Sequence, residues 1–171
     1  MGAEASLVAW SGKGVVSNFG GDRHEPLPAL YGRRAPTEPE SGGSFTAPAD
    51  VVVVNLGTND FSMGEPPAAE EFVAGYVGLL DRIRRAHGDA PILATVAPML
   101  SDEARAIAEG YIDQAIARRR EAGDLGVRRI ELHVAPQGFG CDWHPSAATH
   151  EAMAARLVPH LRRALERPAA S

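Results

Sequence analysis

Lysine and cysteine are nearly missing: Lys13 and Cys141 are the only examples of each among 171 residues. One cysteine allows no intrachain disulfide and leaves the redox compartment open. No His-Glu-x-x-His and no paired Cys/His spacing occurs, and Cys141, Asp142 and His144 have no second cluster to complete a cage. No metal and no cofactor is therefore expected. Gly12-Lys13-Gly14 lacks the longer glycine spacing and the Lys-Ser/Thr pair of a phosphate loop. Basic charge is also short, with a net charge of −5 and arginines spread among acidic neighbours. That pattern offers no stripe to neutralise phosphates, so nucleic acid is not an expected partner. No apolar run approaches the roughly 18 residues needed to span a bilayer, and no membrane is expected. Met1 to Trp10 has neither the basic flank nor the apolar length of a signal peptide, which leaves localisation unknown.

What the chain does contain is alternation. Ser6 to Trp10 is short and apolar and runs into Ser11-Gly12-Lys13-Gly14, the pattern of a buried strand and a glycine turn. Asn18 to Asp50 is rich in Gly, Pro, Ser and Glu and reads as loop, with one helical turn allowed at Leu27 to Tyr31. Val51-Val52-Val53-Val54 is a β-branched run expected to be covered on both faces, as in parallel sheets. Phe72, Val73, Tyr76, Leu79, Leu80 and Ile83 then recur at helical spacing, with Gly88 as a stop. Pro91 to Val96 predicts a strand, Ser101-Asp102-Glu103 opens a helix closing near Gly123, and Val127 to Val134 predicts another strand. Gly138 to Trp143 reads as a loop, and from Ser146 a last helix places Met153, Leu157 and Leu161 on one stripe. Strands alternating with helices predict a single parallel α/β domain. In such sheets function gathers in loops at the carboxyl ends of strands, where Gly12, Asn59 and His144 are expected.

Three segments carry chemistry: Trp10-Ser-Gly-Lys-Gly14, Asn55-Leu-Gly-Thr-Asn-Asp-Phe-Ser62 and Gly140-Cys-Asp-Trp-His-Pro-Ser146. Their order and contents resemble the SGNH (GDSL-type) hydrolase superfamily and, within it, carbohydrate esterase family 2, whose members remove acetyl groups from plant polysaccharides such as xylan and glucomannan. The resemblance implies a flavodoxin-like three-layer α/β/α fold over residues 1–171. It implies His144 as the catalytic general base, and the Gly12 backbone N–H and Asn59 carboxamide as the oxyanion hole. Asp60, Asp142 and Trp143 are possible site-lining residues. The implied partner is an acetylated oligo- or polysaccharide, and family members are often secreted.

The superfamily's nucleophile stands in a Gly-Asp-Ser turn after the first strand, and this chain has no such triplet; Gly21-Asp22 is followed by Arg23. Ser11 and Ser17 lack the strand-to-helix context. The expectation is an N-terminally truncated domain with no nucleophile of its own, Met1 being an artefactual or internal start. Most of the superfamily has an aspartate three residues before the histidine; here that position is Cys141, and Asp142 stands two before. Family 2 members use a dyad in which a backbone carbonyl orients the histidine, which the Asp142-Trp143-His144 order fits. The plainer readings stay open: Asn59-Asp60 as a helix-capping turn, Gly12 as a backbone requirement, His144 as an ordinary loop histidine, Asp142 as a solvated carboxylate. So do a non-catalytic carbohydrate-binding remnant and a lipid or thioester hydrolase.

Overall fold

The computed structural model describes residues 2–43 and 47–166; Met1 and residues 44–46 of the predicted loop lie outside the described residues. In chain order the elements are α1 (Leu27–Leu30), β1 (Val52–Asn55), α2 (Thr58–Phe61), α3 (Ala69–His87), β2 (Ile92–Thr95), α4 (Asp102–Glu121), β3 (Val127–Arg129) and α5 (Ala147–Leu165). The strands form one parallel sheet in the order β1-β2-β3, with Val52 opposite Ile92 and Ile92 opposite Val127. Each long helix is specified locally. Helix α3 has Glu70 and Glu71 in its first turn and Arg84, Arg85 and His87 in its last, complementing the helix dipole. In α4 the Ser101 hydroxyl accepts from the Ala104 N–H at 3.2 Å, and in α5 the Ser146 hydroxyl accepts from the Thr149 N–H at 3.3 Å.

Side-chain alternation along β2 divides the core between two faces. Ile92 and Ala94 join Val54 and Val127 against Phe72, Tyr76, Leu80 and Ile83 of α3 and Ile112 and Ile116 of α4. Leu93 instead joins Ile130, Leu132, Val134 and Met153, with Leu157 and Leu161 of α5 packed beside them. Helices thus cover both faces of the sheet, the three-layer arrangement that the resemblance implies.

Three expectations need correction. Ser6–Trp10 is not a strand: it has no regular structure, Leu7 is 87% exposed, and no sheet partner accompanies it among the described residues. An apolar segment becomes a strand only where a neighbour satisfies its N–H and C=O groups. The run at Val51–Val54 is covered on one face rather than two, with Val54 buried and Val53 37% exposed, because α5 packs over β2 and the segment following β3. The third predicted strand, Val127–Val134, keeps its pairing only through Arg129, with one further bond from the Ile130 N–H to the Ala94 carbonyl at 2.8 Å.

A charged joint locks the amino end of the sheet. The Asp124 carboxylate receives Arg84 Nε at 2.8 Å and Nη2 at 2.9 Å, Arg119 Nη2 at 2.9 Å, and the Gly126 N–H at 3.0 Å. It ties the last turns of α3 and α4 to the loop entering β3. Burial would raise the Asp124 carboxyl, but hydrogen bonds from Arg84, Arg119 and Gly126 outweigh it and hold the group at about 2. The folded pKa is depressed, so this stabilisation is present above the ordinary aspartate value and disappears as pH falls toward 2, about 2 kcal/mol in all. Asp124→Ala is expected to destabilise the fold by about 3 kcal/mol at neutral pH, since it leaves the largely buried Arg84 guanidinium without a carboxylate and Arg119 with Asp81 alone. Urea unfolding at pH 7 measures this, and a loss under 1 kcal/mol contradicts it.

His87, buried at the end of α3, accepts the Ala49 N–H on Nδ1 at 3.1 Å, which assigns the ring proton to Nε2, facing the Tyr31 hydroxyl at 3.0 Å. Burial lowers its pKa. The unfolded chain then binds this proton more readily than the folded one, so the His87 contribution is intact above the ordinary histidine value and is lost as pH falls through it. Melting temperature should drop from pH 7 to pH 5 in the native chain and drop less in His87→Gln; equal slopes would refute the assignment.

Candidate active site

The Gly57-Thr58-Asn59-Asp60 segment leaves the carboxyl end of β1 and forms the single turn of α2. Gly57 has φ +121°, a conformation L side chains rarely adopt, and this sharp exit sets the direction of the turn. Aromatic packing fixes its other end: the Phe61 ring meets Phe72 at 5.1 Å and Tyr111 at 5.7 Å between centroids, both edge-on. Asn59 is therefore held between a glycine bend and a ring cluster anchored on α3 and α4.

Its carboxamide points at the glycine turn. Asn59 Nδ2 donates to the Lys13 carbonyl at 2.9 Å, using one of its two hydrogens. Nothing among the described residues takes the second. Gly12 is the neighbouring residue; its carbonyl accepts the Phe19 N–H at 2.8 Å, and its own N–H has no acceptor among the described residues. The Asn59 carboxamide is thus bonded to the residue next to Gly12, although the sequence places the two donors 47 positions apart (59 − 12). Gly12 lies in a turn after an irregular segment, not after a strand as expected.

Asp60 does something the sequence did not suggest. Only 3% exposed, its carboxylate accepts the Val15 N–H on Oδ2 at 2.8 Å and the Val16 and Ser17 N–H groups on Oδ1 at 2.8 and 2.9 Å. Burial pushes its pKa up, and those N–H groups work against the shift. Gly14 completes the contact, since a Cβ there would lie 2.5 Å from Asp60 Oδ2 and 2.0 Å from the Ser17 carbonyl oxygen. Asn18, also buried, was not expected to matter: its Oδ1 accepts the Gly14 N–H at 3.2 Å and its Nδ2 donates to Asp22 Oδ2 at 2.9 Å and the His24 carbonyl at 2.8 Å. Asparagine in a Gly-rich loop is a common turn signal, and its buried partners are not readable from local sequence. Beside this network lies a cleft of about 580 Å³ lined by Ser17, Gly21, Arg23, Asp60, Met63 and Pro67 among others.

His144 follows the 3-10 turn Cys141–Trp143, in the loop between the β3 side of the sheet and α5. The turn is closed by the His144 N–H donating to the Cys141 carbonyl at 3.0 Å and the Gly140 N–H donating to the His144 carbonyl at 2.8 Å. Asp142 and Trp143 both have positive φ, +51° and +61°, and Trp143 is 77% exposed with its ring edge-on to Phe139 at 5.7 Å. Among the described residues no hydrogen bond reaches the His144 imidazole from Asp142, from a carbonyl, or from Gly12 or Asn59. The structure thus ties Asn59 and Asp60 to the loop that carries Gly12, through Lys13 and through Val15 to Ser17, and keeps His144, Asp142 and Trp143 together on an exposed turn. No three His, Cys, Asp or Glu side chains gather as a metal cage among the described residues. Ser11 and Ser17 sit on the glycine loop, and the Ser17 N–H is committed to Asp60.

Residues 3–152 match the GDSL-like Lipase/Acylhydrolase family, and the chain belongs to it. Its fold is that of SGNH hydrolases, and its relatives are carbohydrate esterases of family 2. The chain is 37% identical to the cellulase/esterase CelE of Acetivibrio thermocellus over 96% of its own length and 20% of that protein. It is 27% identical to an acetylxylan esterase / glucomannan deacetylase of Cellvibrio japonicus over 96% of its length and 45% of that enzyme. Among solved structures, a family two carbohydrate esterase from Clostridium thermocellum in complex with cellohexaose superposes with a TM-score of 0.84 at 34% identity, over 91% of this chain and 48% of that one. The chain spans about half the length of that structure and of the Cellvibrio enzyme, and a fifth of CelE.

Proposed function

We propose that residues 1–171 form part of one SGNH-type domain of a serine-type carbohydrate esterase that removes acetyl groups from polysaccharides. The observation that carries this reading is the Asn59–Lys13 bond, which ties a half-free carboxamide just past the carboxyl end of β1 to the loop that carries the unpaired Gly12 N–H. Two such donors suit the oxygen that becomes negative when an ester carbonyl is attacked. In this reading a serine hydroxyl adds to the acetyl carbonyl while His144 takes its proton. The C–O bond to the sugar then breaks, and His144 returns the proton to the departing sugar oxygen. Water repeats the sequence on the acetyl-serine and releases acetate. With no Gly-Asp-Ser among the 171 residues, the chain is assigned the base and the oxyanion donors, and not the alcohol.

A second reading has one observation in its favour: the Clostridium thermocellum esterase is seen with cellohexaose, so the chain is alternatively a non-catalytic carbohydrate-binding remnant. Acetate release from acetylated xylan by a protein that joins this chain to the family's Gly-Asp-Ser segment, measured beside oligosaccharide binding by calorimetry, separates the two. Turnover that depends on His144 supports the esterase. Binding without turnover supports the remnant, and strong preference for long acyl chains counts against both.

A further inference from the structure

We infer that Asp60 is a positioning residue for the oxyanion donors, a role that rests on the esterase reading for its chemical purpose but on geometry for its existence. The carboxylate is the hub of the glycine loop. Three consecutive N–H groups, from Val15, Val16 and Ser17, converge on its two oxygens at 2.8 to 2.9 Å. Those residues have no strand or helix to satisfy their donors, so without the carboxylate the loop has no local reason to curl inward. The residue adjoining Asp60 is Asn59, whose carboxamide is bonded to Lys13 at the other end of the same loop. One side chain thus pins the far half of the loop, the next side chain pins the near half, and Gly12 lies beside that second pin. The approach is so close that Gly14 admits no Cβ between the Ser17 carbonyl and the Asp60 carboxylate.

A hydrogen-bond network that touches no substrate can still set a donor's direction, and oxyanion stabilisation depends on donors fixed in advance. The effect required is specific: loosening Asp60 moves Gly12 and Asn59 together. Asparagine is the sharpest replacement, because it keeps the shape but turns one acceptor into an NH2 that faces an N–H already there.

The test is NMR on the 15N-labelled protein, following the amides of residues 12 to 17 and the Asn59 carboxamide. Asp60→Asn is expected to lower hydrogen-exchange protection of Val15, Val16 and Ser17 at least tenfold and to shift both the Gly12 amide and the Asn59 carboxamide. Ile116→Val, a core change on α4, should leave all of these in place. If Asp60→Asn folds and the Gly12 and Asn59 signals stay where they were, the inference is wrong. Should that variant not fold, the native protein answers by titration, because Gly12 and Asn59 signals must move in step with the Asp60 carboxyl as pH is lowered. Signals that ignore that titration overturn the role.

In acetate release by a protein that also carries the nucleophile serine, Asp60→Asn should reduce kcat at least tenfold with KM within twofold, a split that general destabilisation does not give. An unchanged kcat in the folded variant also overturns it. If release is indifferent to His144→Ala, the esterase reading fails by itself, and the resonances still decide whether Asp60 positions the two amides.

Discussion

In a protein that joins these residues to the family's nucleophile serine, His144→Ala is expected to lower acetate release about a thousandfold, within the range a positioned general acid–base contributes, and to leave the melting temperature unchanged. Both halves follow from the loop. The His144 bonds are backbone bonds, to Cys141 and from Gly140, and the alanine variant keeps them. Its imidazole is exposed and makes no hydrogen bond among the described residues, so removing it should alter stability by less than about 0.5 kcal/mol. The ring's value is chemical: it must accept a proton from one oxygen and deliver it to another within a single turnover. Asp142→Asn belongs in the same experiment. A triad aspartate is worth roughly 10,000-fold in rate, whereas Asp142 precedes the base by two residues in a left-handed conformation and gives it no hydrogen bond. Loss below about tenfold fits a dyad; loss near the triad value makes Asp142 the orienting group.

The parts of this fold that were legible in the sequence are those whose signals are local. The stripe from Phe72 to Ile83, the Ser101 and Ser146 caps and the Gly88 stop gave α3, α4 and α5, because periodicity and capping act within a few residues. Ser6–Trp10 misled because strand formation depends on a partner, and apolar composition says nothing about whether one is there. The same limit applies to Val53, whose coverage is decided by where α5 lies. At the site, the motif order drew attention to Gly12, Asn59 and His144, and the Asn59–Lys13 bond joins two of the three segments. Asp60 was legible as a position and not as a role. That a carboxylate would be buried to collect three N–H groups 43 to 45 residues away depends on tertiary approach, as does the requirement for Gly14 beneath it. Asn18 was missed for the same reason, its neighbours being set by how the loop folds back and not by its own sequence.

In the same serine-bearing protein, Asn59→Ala is expected to give the second large effect, a fall in kcat of about 100- to 1,000-fold with KM within about threefold, which is the cost of one oxyanion donor. The carboxamide has two tasks on its two hydrogens. One is tied to the Lys13 carbonyl at 2.9 Å and fixes the amide plane; the other is left for the substrate. Alanine removes both, so a stability loss near 1 kcal/mol accompanies the kinetic one, as for an ordinary hydrogen bond. Asn59→Asp separates the tasks from the charge. An aspartate carboxylate donates nothing, repels the Lys13 carbonyl oxygen, and sets negative charge where the alkoxide develops, so its kcat should fall below that of the alanine variant. If instead Asn59→Ala raises KM and spares kcat, the carboxamide binds the ground-state sugar, and the oxyanion assignment for Asn59 is wrong while that for Gly12 still stands on its own N–H.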